Sequence, residues 1–114
     1  MLNVEYEQGY QTDANEFILV KLHDSAYGAI RSWMQANREK HSLAADAKLE
    51  QTAKTELEAL FDLAGLTISG EINMSTMHFF VGRYAGGIAI AIPSDFFVSP
   101  PASIPRLKRE ELNF

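Results

Sequence analysis

At 114 residues, with 46% hydrophobic and 22% charged side chains, the chain is long enough for one domain with a packed core and too apolar to stay disordered. The absence of cysteine excludes disulfides and thiolate metal sites, and it fits an intracellular, cytoplasmic setting. The net charge of −5 makes general nucleic-acid binding an unfavourable expectation, because an acidic body repels phosphate backbones.

The charge is unevenly placed. Glu5, Glu7, Asp13, Glu16 and Asp24 face only Lys21 over residues 1–24, whereas Arg106, Lys108 and Arg109 outnumber Glu110 and Glu111 near the other end. An acidic N-terminal arm points to a protein partner with a basic surface. Residues 1–7 lack the basic and apolar regions of a secretory leader, and no apolar run reaches membrane-spanning length, so a membrane partner is not expected.

Leu2, Val4 and Tyr6 alternate with Asn3, Glu5 and Glu7, the pattern of a half-buried strand ending near Gly9. After turn chemistry at Asp13, Ala14 and Asn15, Phe17-Ile18-Leu19-Val20 is apolar on both faces and predicts a strand inside the sheet. Asp24 or Ser25 supplies a cap for a helix running to about Glu39, with Tyr27, Ile30, Trp33 and Met34 on one stripe. A turn around His41 and a cap at Ser42 lead into a second helix. Its apolar face is Leu49, Ala53, Leu57, Leu60, Phe61 and Ala64, and Gly65 stops it.

Three more strands are predicted over 66–72, 77–84 and 87–92, the last two joined by a tight hairpin at Ala85-Gly86-Gly87. The expected fold is therefore α+β, in the order ββααβββ: an antiparallel-rich sheet of about five strands with two helices packed on one face. Residues 1–98 form the expected domain. Residues 99–114 form an extended, Pro-rich C-terminal tail or arm, since prolines fix φ and remove amide donors.

Ile88-Ala89-Ile90-Ala91-Ile92 has no polar side chain on either face. Period two sends the isoleucines one way and the alanines the other, so both faces want to be dry. Gly82, Ala89 and Ala91 are small enough to admit a helix backbone on their face. The isoleucine face then needs either a lid from Phe96, Phe97 and Val98 or a second chain, which makes Ile88, Ile90 and Ile92 candidate contacts of a homodimer or a partner.

No spacing of chemistry-bearing residues matches a catalytic, metal or cofactor signature, so no catalytic residue, metal ligand or cofactor is assigned. His23, Asp24 and Ser25 have the residue types of a triad, but neighbours in sequence rarely aim at one another. Arg83 and Tyr84 at the hairpin are the residue types that dominate interface energies, and with Glu5, Glu7 and the three isoleucines they make up the candidate partner-binding set. The expected function is a small intracellular inhibitor or adaptor that occludes the surface of a larger partner. The alternatives are a small-molecule binder or enzyme with a helix–sheet pocket drawing on Tyr27, Trp33, His78 and Tyr84, and a structural subunit of a larger assembly.

Overall fold

The computed structural model describes residues 1–10, 13–39 and 43–114, with the side chains of 39 and 43–46 outside that description. The expected turn at His41 and cap at Ser42 lie outside the described residues. The chain runs β1 (Leu2–Gln8), β2 (Glu16–Leu22), α1 (Asp24–Glu39), α2 (Leu43–Leu63), β3 (Thr67–Ile68), β4 (Phe79–Tyr84), β5 (Gly87–Pro93), β6 (Phe97–Val98), β7 (Arg106–Lys108) and β8 (Leu112–Asn113), with short 3-10 turns before β6 and between β7 and β8. It is an α+β fold whose main sheet has the order β7-β2-β5-β4-β1-β8 and is antiparallel apart from the β1–β8 pair.

The helices cover the isoleucine face. Ile30, Trp33 and Met34 from α1 and Ala53, Leu57, Leu60 and Phe61 from α2 pack on Ile18, Val20, Phe79, Val81, Ile90 and Ile92. The stripe that α1 was expected to bury is the one it buries, apart from the half-buried Tyr27. Phe97 seals the far end of α2, its ring 5.1 Å from that of Phe61, while Val98 stays exposed. The lid is thus a plug at one end, and the isoleucine face is closed by the two helices instead.

Gly82, Ala89 and Ala91 do share a face, but it lies opposite the helices. Pairing of Phe80 with Ala91 and of Gly82 with Ala89 sets them on the other side of the sheet, with Leu2, Phe17, Leu19, Leu107 and Leu112. Their smallness serves a curled sheet. β7 and β8 occupy opposite edges yet are three residues apart in sequence. Four α-carbon steps reach at most about 14 Å, whereas five interstrand spacings across a flat sheet would need about 24 Å. The sheet must therefore coil until one segment, 106–113, bridges its outer strands, and Gly82, Ala89 and Ala91 leave room in the tight interior that results for Phe17, Phe80 and the leucines.

The segment expected as a separate tail is thus part of the sheet. Arg106 donates to the carbonyls of Pro100, Pro101 and Ile104, and Arg109 donates twice to the carbonyl of Ala14, which fixes the Pro-rich loop and the β1–β2 connection to it. Extended composition gave the tail no helix to fold into, and edge strands with open hydrogen-bonding groups gave it a place to dock.

Three local expectations change. The strand predicted over 66–72 shrinks to β3, which pairs with β6 outside the main sheet, because residues 69–78 are taken up by turns in which the Asn73 carbonyl accepts from Thr76 and Met77. The α1 cap is His23, whose Nδ1 accepts from the Ala26 amide at 3.2 Å, in place of Asp24 or Ser25. The hairpin forms as expected between Tyr84 and Gly87, but positive φ falls on Ala85 (49°) as well as Gly86 (81°), the signature of a type I′ turn.

Candidate functional site

A β-bulge in β1 creates a patch of polar surface shared by β1, β4 and α1. Val4 pairs with Gly82 and Tyr6 with Val81, so Glu5 is one residue too many for the ladder. The extra residue reverses the alternation. Tyr6, which strict period two would put beside Leu2 and Val4, turns to the helix-covered face, where it packs against the larger core cluster. Gly82 is what permits β1 to lie so close: a Cβ there would overlap the Asn3 carbonyl oxygen.

The bulge aims Glu5 between two elements. Its carboxylate accepts from the Tyr27 hydroxyl of α1 at 3.1 Å and lies 3.4 Å from Nε of Arg83 on β4. Burial and the neighbouring Glu5 carboxylate, which accepts the hydroxyl's proton in a hydrogen bond, raise the Tyr27 pKa above the usual phenol value, and Arg31 opposes them.

Two arginines extend the patch along α1. The Arg31 guanidinium lies 5.6 Å from the Tyr27 ring centroid and that of Arg38 lies 5.9 Å from the Tyr6 centroid, both within cation–π range. Tyr6, Arg31, Gln35 and Arg38 line an open cleft of about 450 Å³ between α1 and β1. Residues 31, 35 and 38 fall at i, i+4 and i+7, hence on one stripe of the helix. Among the described residues neither Arg31 nor Arg38 is in an ion pair. With Arg83, three guanidiniums lie on this side of α1, β1 and β4 and, among the described residues, Glu5 is the carboxylate paired with one of them, which makes a cationic patch on a chain of net charge −5.

Of the residues singled out in the sequence, Arg83 and Glu5 come together on this patch. Glu7 lies elsewhere, its carboxylate 3.0 Å from Nε2 of the buried His78. Tyr84 packs half-buried against the inner cluster. Ile88 is half-buried beneath the helices, and Ile90 and Ile92 are fully buried there, so the need for cover that suggested a second chain is met within one chain.

The pocket set does not converge. Tyr27 and Trp33 belong to the helix side of the sheet, whereas Tyr84 and the His78 ring, 4.9 Å from Phe80, belong to the inner side. His23 and Ser25 both meet Glu56, Ser25 donating to it at 2.8 Å, so the Ser25 hydroxyl is directed at a carboxylate on α2 and not at His23. No group of three or more metal-ligating side chains occurs among the described residues. Nor, among them, is any helix long and apolar enough to cross a membrane.

Sequence reasoning missed Tyr6, Arg31, Gln35 and Arg38 as a unit. The i, i+4, i+7 spacing beside the buried stripe of α1 was a usable signal. That β1 lies next to this stripe was not, because it depends on the bulge. No family model, curated protein or solved structure matches the chain.

Proposed function

We propose that this chain is a small protein-binding factor, an inhibitor or adaptor, that acts by covering part of a larger partner, and that its contact face is the Arg31, Arg38 and Arg83 side of α1, β1 and β4. The observation that carries this reading is the ordering of the face. Glu5 ties Tyr27 and Arg83, and the two other arginines rest on tyrosine rings, so exposed side chains of the types that dominate interface energies are already held in place. Side chains ordered before association cost less entropy on binding.

The sign of the partner changes from the sequence expectation. Glu5 and Glu7 are engaged by Tyr27, Arg83 and His78, and the open charges of the face are cationic, so an acidic partner surface is the better match. Zero cysteine is compatible with the reducing cytoplasm that this reading assumes.

The test compares the tagged chain with its Arg31→Ala/Arg38→Ala/Arg83→Ala variant in pull-downs from lysate of the source organism, quantified by mass spectrometry. All three side chains are on the surface, so an unchanged thermal melt is expected. The reading requires a stoichiometric protein in the first eluate and its loss from the second. Identical eluates overturn it. Light scattering on the purified chain reports at the same time on the homodimer expected from the sequence.

A further inference from the structure

We propose that the cleft between α1 and β1 receives an acidic helix of the partner, with carboxylates two turns apart engaging Arg31 and Arg38; this rests on the protein-binding reading above.

The geometry narrows the ligand in three steps. Arg31 and Arg38 are seven residues apart on one helix, which sets their α-carbons about 10.5 Å apart along its axis. Carboxylates on a neighbouring helix at i and i+7 have the same spacing and the same face. An extended segment does not: at about 3.3 Å per residue the matching spacing is i and i+3, and those two side chains point to opposite sides of a strand.

The chemistry of the walls agrees. The two guanidiniums lie over Tyr27 and Tyr6, which leaves their N–H edges for an acceptor, and planar forks suit bidentate carboxylate recognition. Gln35, between them on the same stripe, lines the cleft at the level where an i+3 or i+4 side chain of the incoming helix would sit. A phosphate backbone is the weaker match, because the chain as a whole is acidic and Glu5 stands inside the patch.

The probes are two fluorescein-labelled, alanine-rich helical peptides of about 20 residues, a length at which such sequences hold helix. One carries glutamates at i, i+4 and i+7, and the other has the same composition with the glutamates on opposite faces. A labelled oligothymidine is the third probe. Fluorescence anisotropy is read with the full-length chain at low and moderate salt. The one-face peptide is expected to bind about tenfold tighter than its rearranged control, the combined worth of two exposed charge pairs. That preference should vanish in the Arg31→Gln/Arg38→Gln variant and shrink as salt rises.

Equal affinity for the two peptides, undiminished preference in the double variant, or tighter binding of oligothymidine than of either peptide overturns the proposal. If the peptides are not distinguished while the triple variant still loses its partner in the pull-down, this inference fails and the protein-binding reading stands. Unchanged pull-downs sink that reading separately.

Discussion

Truncating Leu107 to alanine asks whether segment 106–113 is structural or an arm. Leu107 is 3% exposed, sits opposite Phe17 in the β2–β7 ladder and packs into the inner cluster. The substitution leaves the backbone bonds of β7 in place and removes packing alone. A buried leucine cut to alanine costs about 2–5 kcal/mol, and about 3 kcal/mol is a middle value for a site at the rim of a small cluster. Unfolding entropy of about 2.1 cal/mol/K per residue gives roughly 0.24 kcal/mol/K for a chain of 114 residues, so Tm should fall by about 12 °C.

The control is Phe114→Ala. Phe114 follows the segment directly, with its ring 5.4 Å from that of Phe80, yet it is 74% exposed. Its loss should cost less than about 1 kcal/mol, or under about 4 °C. Scanning calorimetry, with urea unfolding as a second probe, measures both variants. If Leu107→Ala lowers Tm no more than Phe114→Ala, the segment is not holding the coiled sheet closed and the account of the inner core is wrong.

Three further outcomes follow from local geometry. Ala85→Asn places Asn-Gly in a type I′ turn where alanine now sits at a φ of 49°, and it should stabilise the chain by about 0.5–1 kcal/mol in urea unfolding; a loss would contradict the turn type. His78→Phe should stay within about 1 kcal/mol of the parent, since it keeps the ring contacts with Phe17 and Phe80 and removes Nδ1, a buried nitrogen without a partner, whereas His78→Ala should lose about 3 kcal/mol; a large loss in both would give the Glu7 bond more weight than packing. Tyr27 should ionise above its unfolded value, so its contribution is complete below about pH 10 and fades as pH rises through the raised folded value. Tyrosinate absorbance should show Glu5→Gln moving that ionisation to lower pH, and an unmoved titration would remove Glu5 as a cause.

Much of the fold was legible because it rests on period and punctuation. The 3.6-residue stripe of Ile30, Trp33 and Met34 named the buried side of α1, and Ala85-Gly86-Gly87 named the hairpin. The all-apolar run at 88–92 required two dry faces, and both are dry. Of the candidate face, the sequence yielded Arg83 and Glu5 as single residues but not their company. A bulge is one residue of register, and alternation cannot show it, because Leu2, Val4 and Tyr6 read as one face until Glu5 is taken out of the ladder.

What the sequence by itself determined was the type of β1, β2, α1, α2, β4 and β5 and the buried stripes of the two helices, since hydrophobic period and turn chemistry act over a few residues. What only the tertiary structure decided was which layer met which face. The helices went to the isoleucines and segment 106–113 to the alanines, because a sheet closed by a three-residue bridge has a tight interior in which Gly82, Ala89 and Ala91 leave room for Phe17, Phe80 and the leucines, and that closure pairs Leu2 with Leu112 at the other end of the chain.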